Sequence, residues 1–356
     1  MKDLVLYIHG KGGSADESGH YRMLFPGSEV IGLEYHSFTP WETGEEIREA
    51  VEKLKNKYDG ITLIANSIGA FFSMNAGIGS LIGKAYFISP IVDMERLILN
   101  MMDWAGVTED RLKAEGVIRT SLGEDLSWEY LSYVREHPLK WEVPTEILYG
   151  SRDDLTSYET VTAFARKHGS GLTVMEGGGH WFHTDEEMRC LDEWIREGGA
   201  SCIGKIMIRT ERLRLYPASG EQMEAMIASE QDQELRKAYS EMLEGCLTHP
   251  KQWEWYAMWR IEQRDGRQIG DLCFKGLEEN GRAEIGYGIM EEYRGQGYAA
   301  EAVQAACHWA LGHTSVKSLE AETETGNAAS QRVLEKCGFH ADGTLGEEGP
   351  RFTLSR

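Results

Sequence analysis

"REGGASCIGKIMIRTERLRL", residues 196–215, reads as one folded unit ending and another beginning. Before it, an amphipathic helical pattern runs out at Gly198-Gly199. After it, Met207 leads into a stretch that alternates apolar and polar residues, as a strand does. The connecting "REGGASCIGK" carries three glycines and no proline, the composition of a short flexible join. A chain of 356 residues fits two domains, and either half is long enough to bury its own core. The reading is a first domain at 1–198, a linker at 199–206 and a second domain at 207–356.

The net charge of −21 has no basic block to offset it, which argues against a nucleic-acid partner. Any phosphate-bearing ligand has to meet a local cradle instead of a global field. The six cysteines are scattered, with no C-x-x-C pair and no zinc spacing, so no metal is expected and the thiols read as reduced and cytoplasmic. "MKDLVLYIHG" has too short an apolar run for a signal peptide. No segment approaches the roughly 18 apolar residues of a membrane span, so no membrane partner is expected.

In the first half, apolar runs at 3–8, 29–35, 60–66, 85–89, 145–149 and 172–175 alternate with helical patterns such as Ile47, Val51 and Leu54 within 44–57. That alternation predicts an α/β fold with a mainly parallel sheet. The run at 60–66 ends in "ANSIGA". Ser67 lies between Ala65 and Gly69, and a helical pattern follows, which is the strand–turn–helix setting of a nucleophile elbow. The same serine also fits a helix cap. Asp153 or Asp154 follows the run at 145–149. His180 follows three glycines after the run at 172–175. A neutral imidazole can take a serine proton while a carboxylate fixes its tautomer. "HGKGG", His9–Gly13, follows the first run. A glycine turn there can aim backbone N–H groups of Lys11 and Gly12 at an oxyanion, together with the N–H of Ile68.

These four features, in this order, make residues 1–198 resemble a small α/β-hydrolase of the serine esterase type. The resemblance implies Ser67 as nucleophile, His180 as base and Asp153 as acid, because the family's acid ends a G-x-x-D pattern. It implies an oxyanion site at Lys11, Gly12 and Ile68. It also implies a helical lid at about 91–140, rich in Leu97, Leu99, Met101, Met102, Trp104, Trp128 and Tyr130. Those apolar residues read mainly as lid core, and alternatively as a surface for an acyl or aromatic group.

In the second half, "GEQMEAMIASEQDQELRKAYSEMLEG" reads as helix, and "WYAMWRIEQRDGRQIGDLCFKGL" as two strands joined at Asp265-Gly266. "RAEIGYGIM" is a further strand. It passes into Arg294-Gly295-Gln296-Gly297-Tyr298-Ala299, which opens an amphipathic helix. Glycine-rich backbone at a helix N-terminus presents N–H donors to a pyrophosphate. Downstream, Asn327 is placed to cap a helix and Gly338 to end it.

The opening "RTERLRL", the "EIGYGI" strand, the R-x-x-G-x-A turn and the N-x-x-S…GF ending resemble the GCN5-related N-acetyltransferases, in particular those similar to ribosomal-protein N-terminal acetyltransferases. The resemblance covers about 205–356 and implies an α+β GNAT fold following the hydrolase fold. It implies acetyl-CoA as acyl donor, with its pyrophosphate on Arg294, Gly295, Gln296, Gly297, Tyr298 and Ala299. Its pantetheine arm would run along Ile289 and Met290, and Asn327 and Ser330 would lie near its thiol end. Where many relatives carry a tyrosine, this chain has Leu334. Transfer needs a base to deprotonate an amine; Glu322 and Glu284, on strands bordering the expected site, are the catalytic candidates. The stretch Trp253, Trp255, Tyr256 and Trp259 reads as pocket lining or as sheet core.

The functional expectation is a bifunctional enzyme. One half hydrolyses a small-molecule ester or thioester. The other acetylates a primary amine, on a small molecule or a protein N-terminus. An alternative is that one half is inactive and the acetyltransferase-like half senses acyl-CoA for the hydrolase.

Overall fold

The structure, a computed structural model, describes residues 2–121, 123–199 and 206–356. The linker read at 199–206 lies outside them from 200 to 205. The chain divides into two compact units, Met1–Leu172 with Gly178–Gly204, and Thr173–Gly177 with Lys205–Arg356. The sequence reading left 173–177 with the first half.

The first unit begins with β1 (Lys2–Ile8), β2 (Glu29–Leu33), α1 (Pro40–Lys55), β3 (Tyr58–Asn66), α2 (Ile68–Asn75) and β4 (Lys84–Ile88). Next come α3 (Met94–Ala105), α4 (Glu109–Glu115), the hairpin β5 (Val117–Arg119) and β6 (Asp125–Ser127), and α5 (Trp128–Glu136). It closes with β7 (Thr145–Gly150), α6 (Tyr158–His168), β8 (Gly171–Met175) and α7 (Asp185–Arg196). The strand order of this unit is β2-β1-β3-β4-β7. The β1–β2, β1–β3, β3–β4 and β4–β7 pairings are all parallel. Strands such as Leu4–Ile8 and Thr145–Gly150 are buried along their length, as a sheet covered on both faces demands. Pro40 at the first turn of α1 supplies a preset φ where no N–H is needed.

The second unit runs β9 (Ile206–Arg209), β10 (Leu213–Pro217), α8 (Gly220–Ser229), α9 (Gln233–Thr248), α10 (Trp253–Tyr256), β11 (Met258–Gln263), β12 (Gln268–Leu277) and β13 (Arg282–Ile289). It continues with α11 (Tyr298–Leu311), β14 (Ser318–Glu322), α12 (Ala328–Lys336), β15 (His340–Leu345) and β16 (Pro350–Ser355). Its strands lie in the order β9-β10-β11-β12-β13-β14-β16-β15. Only β13–β14 is parallel among these pairs, and it is short: Arg282, Ala283 and Glu284 pair with Ser318, Leu319 and Glu320. Past Glu284, β13 continues against β12 alone up to Ile289, so β13 and β14 part company.

Two local readings change. The alternating stretch after Met207 is two antiparallel strands, because Thr210 turns the chain: its Oγ1 accepts from Leu213 N at 2.9 Å. The long helix read over 220–245 is broken at 230–232, where Asp232 caps α9 by accepting from Glu234 N and Leu235 N at 2.8 and 3.1 Å. A polar cap inside a helical pattern is hard to see when the periodicity on both sides agrees. The aromatic stretch lies in the core. Trp255 and Trp259 are 2% and 0% exposed, and their rings lie 4.9 and 4.8 Å from that of Trp309 on α11. Trp309→Ala should therefore lower the stability of the second unit by about 3–5 kcal/mol, the cost of emptying a buried aromatic site, measured by urea unfolding.

Candidate active sites

At the end of β3, Ser67 turns the chain into α2 with φ 51° and ψ −121°, a conformation that a residue with a side chain adopts only under constraint. The constraint is close backbone packing. A Cβ on Gly69 would sit 2.5 Å from the carbonyl oxygen of His9, and one on Gly10 would sit 3.2 Å from the Cβ of Ser67. Ser67 Oγ lies 2.7 Å from His180 Nε2, and His180 Nδ1 donates to Asp153 Oδ2 at 2.8 Å. A carboxylate only accepts, so Nδ1 holds the proton and Nε2 is left as the acceptor facing the serine. The other oxygen of Asp153 accepts from Leu155 N and Thr156 N at 2.9 and 3.0 Å. Asp154 makes no part of this chain of contacts.

The loop that carries His180 is held by a residue the sequence reading missed. Glu187 accepts from Gly179 N at 2.8 Å, from His183 N and Thr184 N at 3.0 Å, and from Thr184 Oγ1 at 2.9 Å. Burial alone would raise its pKa, but these donors, Gly179 N–H foremost, pull it down to about 2. The legible signal was T-x-x-E at 184–187, a capping box on α7. The loop also packs on β7: a Cβ on Gly150 would stand 2.4 Å from the carbonyl oxygens of Gly178 and Gly179. His9 is structural. Its ring stacks on Tyr35 at 4.3 Å, and its backbone oxygen accepts from the Tyr35 hydroxyl at 2.9 Å.

Lys11, Gly12, Ser67 and Ile68 line one cavity of about 550 Å³. Its other walls are largely apolar, from Phe38, Ile91 and the lid residues Leu97, Met101, Trp104 and Tyr130. These four side chains of the 91–140 segment face the cavity, while Met102 is 3% exposed and belongs to the core. Lys11 is ion-paired to Glu124 of the lid.

In the second unit, Gly295 and Gly297 have φ of +76° and +83°, and Gly297 caps α11. The turn is braced by the "RTERLRL" stretch. Arg212 donates from Nε to Glu301 Oε2 at 2.6 Å and from Nη1 to Gln296 O at 3.0 Å, and its guanidinium lies 4.4 Å from the Tyr298 ring centroid. Thr210 Oγ1 donates to Glu301 Oε1 at 2.5 Å. The Arg294 side chain donates to Ile289 O at 2.9 Å, and Met290 is 41% exposed beside it. Ala299 lies in the first turn of α11. Asn327 caps α12 by accepting from Ser330 N at 3.0 Å, and Ser330 Oγ lies 2.9 Å from the Tyr287 hydroxyl. Leu334 is 1% exposed and packed in the core. Tyr287, which the sequence reading passed over, stands in the splay between β13 and β14; burial pushes its hydroxyl up to about 12.

The two glutamates read as bases are both engaged. Glu322 accepts from Glu348 N at 3.1 Å and from Arg351 Nε at 2.6 Å. These contacts, the Glu348 N–H first, hold its pKa below the usual carboxylate range. Glu284 is ion-paired to Lys275, which also meets Glu348 at 3.6 Å. Among the described residues, no group of three or more His, Cys, Asp or Glu is placed to hold a metal ion, and no helix is long and apolar enough to cross a membrane.

Residues 212–340 match the family model described as "Acetyltransferase (GNAT) domain". The chain carries a GNAT acetyltransferase domain. It is 40% identical over 83 residues to the uncharacterized N-acetyltransferase YjdG of Bacillus subtilis (strain 168), across 23% of this chain and 49% of that protein. It is 29% identical over 151 residues to the uncharacterized N-acetyltransferase YoaA of the same organism, across 39% of this chain and 85% of that one. The chain thus spans about half the length of YjdG. Among solved structures, Est1E from Butyrivibrio proteoclasticus is similar at TM-score 0.46 and 19% identity, over 55% of this chain and 86% of that one. A putative ribosomal-protein-serine acetyltransferase from Vibrio cholerae is similar at TM-score 0.34 and 18% identity, over 42% and 97%.

Glu187→Gln should weaken the hydrogen bonds that hold the His180 loop. The expected result is a stability loss of about 1–3 kcal/mol above pH 5, measured by urea unfolding of the first unit. The sign follows from the depressed pKa: the stabilisation is present above the ordinary glutamate pKa and is lost as pH falls through about 2. The difference between variant and wild type should therefore shrink toward strong acid.

Proposed function

We propose that the chain joins two enzymes, a serine hydrolase and an acetyl-CoA-dependent N-acetyltransferase. The observation that carries the first half is the unbroken series of contacts Ser67 Oγ–His180 Nε2 and His180 Nδ1–Asp153 Oδ2, at 2.7 and 2.8 Å. His180 takes the hydroxyl proton as Ser67 Oγ attacks the acyl carbon, and Asp153 stabilises the imidazolium. Backbone N–H groups of Ile68 and of the turn at Lys11 and Gly12 receive the negative charge on the acyl oxygen. His180 then protonates the leaving alcohol or thiol, and water repeats the sequence to free Ser67. The apolar cavity supports a substrate with an apolar acyl or aromatic portion, since its about 550 Å³ suits a small molecule.

For the second half, the residues suit an acyl-CoA. The turn at 294–299 presents backbone N–H groups at the head of a helix of 14 residues, braced from behind by Arg212 and Glu301. The parting of β13 from β14 leaves strand backbone past Glu284 for the pantetheine arm to pair with. Acetyl-CoA, when bound, supplies the activated acyl group. Tyr287, linked to Ser330, is the hydroxyl suited to protonate the departing thiolate, in place of the tyrosine for which this chain has Leu334. The acceptor is a primary amine.

A fluorophosphonate probe should label the full chain at Ser67, and Ser67→Ala should abolish labelling and lower hydrolysis of a p-nitrophenyl acyl ester by roughly 10⁴-fold. Labelling that persists in the variant would sink the nucleophile assignment. For the transferase half, Gly297→Val forces a branched residue into a left-handed conformation, at a cost of about 1–2 kcal/mol. Calorimetry should accordingly show acetyl-CoA binding weakened about tenfold.

A further inference from the structure

With Glu322 and Glu284 tied to cations, the acetyl-transfer site still needs a proton acceptor. Side chains on β13 alternate between faces. Tyr287 faces α12, as its contact with Ser330 requires. Glu284, Gly286 and Gly288 face the other way, toward Lys275, Cys273 and Asp271 of β12. A Cβ on Gly286 would meet Cys273 Sγ at 3.3 Å, and one on Gly288 would meet Asp271 Oδ1 at 3.4 Å. Two glycines two residues apart therefore bring Cys273 and Asp271 directly over the backbone of β13, at the part of that strand that has left β14. No side chain of β13 stands between Asp271 and that backbone.

Among the described residues, the Asp271 side chain makes no hydrogen bond or ion pair, unlike the neighbouring carboxylates of Glu262, Glu284 and Glu322. Arg260, its register partner on β11, is turned to Glu262 at 3.2 Å. Lys275, two pairs along, is taken by Glu284. The titratable groups that face Asp271 are Cys273 on its own strand and Tyr239 on α9, where Glu230 also acts. Burial pushes the Cys273 thiol up to about 11, so it remains a neutral thiol and offers no counter-charge. Tyr239 is shifted upward by burial and is likewise neutral. Burial also raises the Asp271 carboxyl to about 6, poised to gain and lose a proton near neutrality.

We propose that Asp271 is a catalytic residue that receives the ammonium group of the acceptor beside the bare β13 backbone at Gly286 and Gly288 and takes its proton. This rests on the acetyltransferase reading of the same site. One N–H proton passes to an Asp271 oxygen. The freed nitrogen pair forms the C–N bond to the acyl carbon, and the C–S bond breaks with its electrons on sulfur. The second ammonium proton leaves as the amide forms, the thiolate gains a proton, and Asp271 releases its own to solvent. The balance is an ammonium and a thioester giving an amide, a thiol and one proton. An unpaired carboxylate in a neutral surround selects a primary ammonium as acceptor.

The test uses the full chain, acetyl-CoA and three amine probes: tyramine, putrescine and a seryl tetrapeptide. Thiol release, carbon NMR of labelled aspartate carboxyls and thermal unfolding are followed together. Wild type should lose kcat/KM below about pH 6, the pH at which Asp271 protonates. Asp271→Asn should lower kcat/KM on the order of 10²-fold and lose that acidic limb, and Asp271→Glu should restore part of both. A carboxyl whose folded pKa is raised costs stability progressively as pH climbs from the ordinary aspartate pKa to the raised value, a cost fully present above about pH 6, so Asp271→Asn should unfold at a higher temperature than wild type at pH 8 and not at pH 4. The Asp271 resonance should titrate near pH 6 and move lower when an amine binds. An unchanged rate and pH profile in Asp271→Asn overturns the proposal and leaves acetyl transfer standing. No thiol release with any probe, but an Asp271 titration displaced by amine, supports the ammonium site and overturns the transfer reading. Neither release nor displacement overturns both.

Discussion

The first unit depends on a close approach of backbone to backbone at the carboxyl ends of its central strands. β1, β3 and β7 each end in a turn that has no room for a side chain at one position: Gly10 against Ser67, Gly69 against the carbonyls of Ile8 and His9, and Gly150 against those of Gly178 and Gly179. Parallel strands bring these ends to one edge of the sheet, and the glycines let them touch. The positive φ of Ser67 is held by the surrounding sheet and not by its own preference. The contacts to His180 and Asp153 follow from that packing. The hydroxyl, the imidazole and the carboxylate come from residues 67, 180 and 153, and only the strand ends connect them.

The second unit rests on the opposite device, a place where strands separate. β13 and β14 pair over three residues and then diverge, while Arg212 and Glu301 fix the head of α11 beside the opening. The carboxylates there differ in their partners. The Glu348 N–H and Arg351 hold the Glu322 carboxyl below the usual range, and Lys275 pairs with Glu284. The less conspicuous Asp271 is left to burial, which pushes its pKa the other way. The chain's large negative charge therefore says little about which acid does chemistry.

Much of the site was legible because it is written as punctuation. "ANSIGA", "HGKGG", "GSRDD" and "EGGGH" each pair a chemical group with a residue that permits a tight turn, and the turn residues sit at fixed offsets from apolar runs. The turn at 294–299 was legible for the same reason. Glu187 was half legible: its capping box could be read, but its bond to Gly179 N–H joins a helix start to a loop eight residues earlier. The break at Asp232 was hidden because the apolar spacing of α8 and α9 stays in phase. The partners of Glu322 and Glu284 were not legible, because strand alternation reports a face and is silent about the cation that shares it.

The sequence by itself determined the two fold patterns, the order Ser, Asp, His and the glycine turn at the head of α11, since periodicity, turn chemistry and local spacing are properties of neighbouring residues. Tertiary structure alone decided which acid meets which base. Leu97 and Met101 face the cavity that Ser67 lines, Arg351 takes Glu322, and Asp271 is left without a cation. The physical reason is that protonation and partnership depend on distances and burial between residues far apart in the chain, and those distances exist only once the sheets have formed.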